Sequence, residues 1–577
     1  MAQLPDAFRA PMWPTFPVQA ATLSLFAFLV TLPISVWPAA YRLAVPLVTG
    51  VGTAALYVDS EVYKSVGFHI NGFFFRVVTQ PGALKETGVP IWAALAIAAG
   101  GVIVIGLEIA AFRWLTARPR WPRRAWAAAL SLLVLCTAER FAVATLSWLG
   151  GPGVFAAGQV LPLQAPVRMN RTLEKITGRK GDTLPDPFSG AARDAAARLP
   201  AGLAPSEVRF TRKPDVLFVV AESLRADFFE PTTMPRLLAR SREGATFTNH
   251  QSTAPATFYS IFSLLFGLQG HKADAVIGTG RSPVLFGALR ENGYQMRFIS
   301  ASSVDWMGLK EGAFGDVKDA LETDWEGPFP ERDDEMMRRA HRWVDGADDR
   351  PMFLFLFFFG THFDYFYPPR SAVHSPAWDG KGGIKATNAP SELIKNRARN
   401  AAYEVDWKLD EFLTWFEAKR GRKPLILFTG DHGEEFREKG RIGHGSGVNA
   451  EQIHVPMVVI DDKVPRGSFT APTSHVDLVP TLFALLGDKH APELYSDGHV
   501  LYESPPDRYV LATVGWEPTY AGIGKDVKVR FAALDAFGRV QITDTFDRPL
   551  PDGAARFARA APAILKMLGK DPGKAAQ

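Results

Sequence analysis

PLILFTGDHGEE, from Pro424 to Glu435, reads as a buried strand running into a turn crowded with ligating groups. Leu425–Phe428 is a short apolar run, the pattern of a parallel strand covered on both faces. Thr429-Gly430 turns the chain, and Asp431, His432, Glu434 and Glu435 follow at once. In open α/β sheets ligands bind beyond the carboxyl ends of the strands, so chemistry is expected here. Adjacent Asp and His offer a hard oxygen and an imidazole nitrogen to one divalent cation. A bare Asp-His-Gly is just as often an ordinary loop, so its weight depends on its surroundings.

Strands and helices alternate on both sides of this stretch. Upstream, Val216–Ala221 is an apolar strand, Pro235–Arg242 a helix, Ala245–Thr248 a strand and Thr257–Gly267 a helix. Pro283–Asn292 and Tyr294–Ser300 form a helix–strand pair. Met352–Gly360 is a bulky strand, and Ala401–Arg420 repeats Val405, Leu409, Phe412, Leu413 and Phe416 at helical spacing. Repeated βα units predict a mostly parallel sheet with helices on both faces. From Arg508 the chain reads as short strands and turns ending in an apolar helix near Ala560–Leu568.

Several strand ends carry polar groups. Val216–Ala221 runs into Glu222-Ser223, Met352–Gly360 into Thr361-His362, and Gly443-His444-Gly445 lies just beyond Asp431-His432. A helix starting at Thr257 could aim that hydroxyl and its own amino-terminal dipole at the same place. A carboxylate, a hydroxyl and an Asp-His pair make a reasonable ligand set for a cation that activates the hydroxyl as a nucleophile. The plain alternative makes Thr257 an N-cap residue, with His362 and His444 as loop histidines.

The first 150 residues differ. Gln19–Trp37, Tyr41–Val58, Val89–Phe112 and Ala125–Leu149 are apolar stretches of bilayer-spanning length. They are too long and too numerous for a cleaved signal peptide. The loop Arg113–Arg124 carries five arginines, Arg113, Arg118, Arg120, Arg123 and Arg124, which the positive-inside rule places in the cytoplasm. Everything after Leu149 is therefore expected outside, and so is the short amino terminus. Ser65–Val78 contains His69, Asn71 and Arg76 and reads as interfacial. Glu108 and Arg140 are expected to pair between helices. Gly150–Lys213, with Arg168, Arg171, Lys175, Arg179 and Lys180, reads as a tether near anionic headgroups. The expected domains are thus 1–150 in the membrane, a linker at 151–213, an α/β domain at 214–500 and a β-rich subdomain with a terminal helix at 501–577. A net charge of +4 and a pI near 8.9 give no argument for nucleic acid. The single cysteine, Cys136, excludes an intramolecular disulfide.

Five segments together resemble the alkaline phosphatase superfamily in its sulfatase-like branch: PDVLFVVAESLRAD (Pro214–Asp227), NHQSTAPATFYSIFSLLFG (Asn249–Gly267), FTGDHGEEF (Phe428–Phe436), GRIGHG (Gly440–Gly445) and HVDLVPTLFALLG (His475–Gly487). A sulfatase carries a Cys or Ser, oxidised to formylglycine, in a C-x-P-x-R pattern. Here Thr257 takes that position, with Tyr259 in place of Pro and Ile261 in place of Arg, so sulfuric ester hydrolysis ranks third. Threonine with Glu222 on the first strand is similar to lipoteichoic acid synthases and phosphoethanolamine transferases. That resemblance implies Glu222, Thr257, Asp431 and His432 as ligands of one or two divalent ions, Zn²⁺ or Mn²⁺ foremost, with Mg²⁺ compatible. It implies His362 and His444 as substrate-site histidines beside the Thr257 nucleophile. Phosphoethanolamine transferases usually have disulfides in this domain, which this chain cannot form.

The membrane half, with DSEVYKSVGFHINGF at Asp59–Phe73, resembles enterobacterial inner-membrane sulfatase-like regulators of lipopolysaccharide synthesis. Those have one more span and have lost the Asp-His ligands, whereas Asp431 and His432 are present here. The expectation is a multi-pass protein of a bacterial inner membrane with a periplasmic catalytic domain. Its reaction would be phosphoryl-group transfer or phosphodiester cleavage, from a phospholipid donor to an envelope lipid or glycan, through phospho-threonine. The competing expectation is a non-enzymatic lipid sensor whose spans recruit a membrane-protein partner.

Overall fold

The computed structural model describes residues 15–66, 69–70, 74–75, 78–79, 91–117, 122–149, 170–178, 199–305, 308–323, 328–381, 388–514, 519–532 and 540–568. The chain divides into two compact units. One comprises Met1–Phe75, Val89–Asp186 and Leu534–Val540, the other Arg76–Gly88, Pro187–Ala533 and Gln541–Gln577.

In the first unit each expected span forms a helix: α1 (Thr15–Thr31), α2 (Pro38–Val66), α3 (Ile91–Thr116) and α4 (Pro122–Trp148). Among the described residues three helical stretches are long and apolar enough to cross a bilayer: Val18–Val36, Pro38–Tyr63 and Ala94–Thr116. Helix α4 carries Glu139 and Arg140 in its carboxyl-terminal half. The expected Glu108–Arg140 pair does not form. Helix α2 packs on α3 and α1 on α4, so the two charges belong to different helix pairs. Glu108 accepts a 3.2 Å hydrogen bond from Thr53, while Arg140 donates to Gln19 and lies 3.3 Å from Glu139. At the start of the segment read as interfacial, His69 faces Asp59 of α2 at 2.7 Å, Asp59 accepts the Ile70 amide at 2.6 Å, and Tyr63 of α2 stacks on the imidazole. In the linker only the short helix α5 (Asn170–Thr177) and its flank are described before residue 199, so Arg168, Arg179 and Lys180 lie outside the described residues.

The second unit is built on an eight-stranded sheet in the order β11-β2-β10-β7-β1-β6-β4-β5. Its strands are β1 (Val216–Ala221), β2 (Ala245–Phe247), β4 (Gln295–Ser300), β5 (Leu321–Glu322), β6 (Met352–Phe358), β7 (Leu425–Gly430), β10 (Met457–Ile460) and β11 (Gly467–Phe469). The central strands β7, β1, β6 and β4 run parallel, as expected. Strand β10 was not anticipated; it runs antiparallel to both β7 and β2. Side chains alternate between the two faces. Val216, Phe218 and Val220 enter one core with α7 (Thr257–Phe266) and α8 (Val284–Glu291). Leu217, Val219 and Ala221 enter the other with α9 (Arg332–Asp345) and α10 (Ser391–Arg420). Helix α10 begins ten residues before the expected Ala401, because its first turns bury only Ile394 and Ala398 and carry little apolar period. Register positions the site. Ala221 lies opposite both Phe358 and Gly430, so β1, β6 and β7 end abreast. A four-stranded antiparallel sheet, Val510–Thr513 to Gln541–Thr543, and a helix over Gly553–Met567 follow, as the carboxyl-terminal pattern predicts.

Candidate active site

The three abreast strand ends present Glu222, the Phe359–His362 turn and Asp431 at one level. Glu222 N–H donates to the Phe358 carbonyl at 3.0 Å and Asp431 N–H to that of Ala221 at 3.3 Å. Glycine is required beside the aspartate: a Cβ on Gly430 would stand 2.4 Å from the Leu224 oxygen, and one on Gly433 2.2 Å from that of Glu451. Beneath β7, His475 lies 3.1 Å from the Gly430 carbonyl, and burial pushes its pKa down to about 3. Kept neutral, it donates Nε2–H to that oxygen. The HVDLVPTL segment thus passes under the loop that carries Asp431.

Asp431 and His432 are both completely buried. Oδ1 of Asp431 accepts the amides of Ser223 at 2.9 Å and His432 at 2.7 Å, while Oδ2 takes no hydrogen bond and lies 3.3 Å from His432 Nε2. Burial raises the Asp431 pKa, opposed by His432 and the two amides. His432 Nδ1 is 3.0 Å from the Gly433 carbonyl. With Nδ1–H donating there, Nε2 keeps its lone pair toward the site, the arrangement of a metal-bound histidine.

Thr257 does not cap its helix. The N-cap of α7 is Ala256, in extended conformation, and Thr257 is the first helical residue. Its hydroxyl caps nothing. It lies 3.4 Å from Glu222 Oε1 and 3.3 Å from His432 Nε2. Glu222, Thr257, Asp431 and His432 therefore converge. Among the described residues no three His, Cys, Asp or Glu side chains are grouped so as to hold a metal ion, Glu222, Asp431 and His432 included. The donor chemistry suits a divalent cation, because Asp431 is a buried carboxylate whose Oδ2 takes no hydrogen bond and which, among the described residues, has no lysine or arginine partner.

His362 and His444 join from other loops. His362 Nε2 lies 3.6 Å from Glu222 Oε1, and the His444 ring centroid is 4.3 Å from that of His432. Phe363 packs on both, at 4.1 Å from His362 and nearly parallel to His444 at 5.3 Å. Asp333 fixes the β6 end by accepting the Phe359 and Gly360 amides at 2.8 and 3.0 Å.

Two further residues belong to the site. Glu434, fully buried, places Oε2 3.3 Å from His444 Nδ1. Ser223, at φ 59°, sets its Oγ 3.4 Å from the same nitrogen. An acid two residues after His432 was a visible signal; the left-handed turn at Ser223 was not. Glu435 is structural. It accepts the Lys439 and Arg441 amides and hydrogen bonds from Asn449 and Gln452, which fixes the hairpin leading to His444.

Comparison with known proteins agrees. Residues 214–488 match the sulfatase family, and residues 15–176 match a domain of unknown function, DUF3413. Residues 214–488 thus form a sulfatase-family, alkaline phosphatase-like domain behind a membrane-type amino-terminal half. The chain is similar to the inner membrane protein YejM of Salmonella typhi, at 22% identity over 472 residues, 79% of this chain and 73% of that one. An uncharacterized protein of Haemophilus influenzae is 22% identical over 344 residues, 59% of this chain, which spans about half of that relative, 52%. Among solved structures, the integral membrane lipooligosaccharide phosphoethanolamine transferase A of Neisseria meningitidis superposes with a TM-score of 0.54 at 16% identity. The match covers 86% of this chain and 94% of that one, and it shows the shared fold.

Proposed function

We propose that this chain is a membrane-anchored, metal-dependent phosphoryl-group enzyme acting on phospholipid headgroups through Thr257. The observation that carries the reading is the Thr257 hydroxyl, free of any capping role and lying between Glu222 and His432. Glu222, Thr257, Asp431 and His432 would hold Zn²⁺ or Mn²⁺, which would supply Lewis acidity and lower the pKa of the hydroxyl. Thr257 Oγ attacks the phosphorus of a phosphodiester, forming the Oγ–P bond as the bond to the diacylglycerol oxygen breaks. The hydroxyl proton leaves toward Glu222. His362 and His444 bind the phosphoryl oxygens and protonate the leaving alkoxide, with Glu434 and Ser223 holding the His444 ring. An envelope lipid or glycan hydroxyl, or water, then attacks phospho-threonine and restores Thr257.

The Neisseria structure is a lipooligosaccharide phosphoethanolamine transferase, which supports an envelope glycolipid as acceptor and a phosphoethanolamine group as what is moved. Thr257, Tyr259 and Ile261 still argue against formylglycine-dependent sulfate ester hydrolysis. The five arginines of Arg113–Arg124 support a cytoplasmic loop there and an enzyme domain on the outer face of an inner membrane.

The test incubates the purified full chain with phospholipid extract and follows headgroup release or transfer, with mass spectrometry of the peptide containing Thr257. A phosphorylated or headgroup-bearing threonine is expected. Wild-type turnover by Thr257→Ala would remove the nucleophile, and full complementation of a deletion strain by that variant would favour the sensor.

A further inference from the structure

At the other end of the sheet a second cleft, of about 460 Å³, opens between α9 and the edge strands β4 and β5. It lies at the amino-terminal end of the parallel strands. Gln295, which lines it, is the first residue of β4 and pairs with Met352, the first of β6. The catalytic groups stand at the opposite ends of these strands. The terminal strand β5 is only two residues long, and its Glu322 lines the cleft together with Arg339 and Arg342 of α9.

The lining is basic. Arg297, Arg339 and Arg342 face a single acid, Glu322, with Gln295 and Trp343 beside them. Glu322 already receives Arg339 at 3.0 Å, and the neighbouring Glu335 is contacted by Arg338, Arg339 and Arg342 at 2.9, 2.7 and 3.3 Å. Four guanidiniums and two carboxylates thus meet here. A solvated surface network would account for Arg338 and Arg342, but not for Arg297. Its guanidinium makes no hydrogen bond, and its one ion pair, to Glu322, is long at 3.5 Å. It lies 5.9 Å from the Trp343 ring, and its Nε is buried without a partner. A buried guanidinium N–H left unmade is costly, and a planar fork held against an aromatic ring is preorganised for an anion with paired oxygens.

We propose that this cleft binds a phosphate monoester, with Arg297 as the bidentate donor and Arg342 closing over the anion. The ligand would be inorganic phosphate or a phosphate carried on a sugar. The site would be distinct from the catalytic centre and independent of its reaction.

The test is calorimetric titration of the full chain in detergent with two probes, inorganic phosphate and glucose 1-phosphate. Wild type is expected to show a binding component that Arg297→Met weakens tenfold or more and that His444→Ala leaves in place. Arg342→Met, at an exposed position, should weaken the same component without disturbing the fold. Arg297→Lys keeps the charge but lacks the fork and should recover only part of the affinity. Tighter binding of the sugar phosphate assigns a glycan-borne ligand; equal affinities assign the free anion. Titrations by both probes that are identical in wild type, Arg297→Met and Arg342→Met would overturn the proposal, as would a wild type with no component surviving in His444→Ala.

Discussion

Two aspartates, Asp215 and Asp431, are both completely buried at opposite ends of one sheet, and their surroundings differ. Asp215, just before β1, is enclosed by two arginines. Arg420 donates at 3.0 and 3.2 Å, Arg422 at 2.7 and 2.8 Å, and the Met352 amide adds 2.9 Å. Burial alone would raise its pKa, but these bonds outweigh it and hold the carboxyl below the usual range. Asp431, just after β7, has amides on one oxygen, His432 Nε2 at 3.3 Å from the other and a pKa pushed up by burial. The first aspartate is complete within the protein and ties the starts of β1, β6 and β7 together. The second has no lysine or arginine partner among the described residues, and on the function proposed above its Oδ2 is where a metal would bind.

That contrast can be broken or sharpened by experiment. The largest effect should come at the ligand end. Thr257→Ala should lower headgroup turnover by roughly four or more orders of magnitude, the scale seen when a covalent nucleophile is removed, while metal content and melting temperature hold. Thr257→Ser should regain part of the rate. At the structural end, Asp215→Asn leaves two arginines facing a neutral group and should cost about 3–5 kcal/mol of stability, read by denaturation in detergent, with no specific loss of metal affinity. Asp431→Asn should do the reverse. Bound metal is lost, but the metal-free protein stays within about 1 kcal/mol of wild type, because an unpaired buried charge has been removed. If Asp431→Asn unfolds the chain as Asp215→Asn does, the two ends are alike and the distinction fails. The smallest effect is in pH. The Asp215 carboxyl is held below the ordinary aspartate range, so its stabilisation is present above that range and vanishes as pH falls through the lowered folded value. The gap between wild type and Asp215→Asn should therefore narrow in acid below about pH 4, measured as denaturation midpoints across the range.

Much of this was legible before any coordinates. The apolar strands β1, β6 and β7 stand out because strands buried on both faces need continuous hydrophobic runs. The polar groups at their ends are conspicuous by contrast. Strand β10 was missed because Met457–Ile460 is four residues long and its period is too short to separate from a loop. The Glu108–Arg140 pairing was misjudged because sequence gives charge and depth in the membrane but not which helices are neighbours. Ser223 and Glu434 acquire their roles only through distance to His444, a residue from another loop.

The sequence by itself determined the membrane-type half, the α/β character of the rest and most of the residues that could bind a metal. These are local properties: hydrophobic period, chain order and the chemistry of each side chain. Only the tertiary structure decided that Ala221, Phe358 and Gly430 lie in one register, that Thr257 is not a cap, and that Asp215 meets two arginines where Asp431 meets none among the described residues. Register and partnership arise from contacts between segments up to hundreds of residues apart, and no single stretch of the chain encodes them. A buried carboxylate becomes structural or functional according to what the fold brings within about 3 Å of its second oxygen.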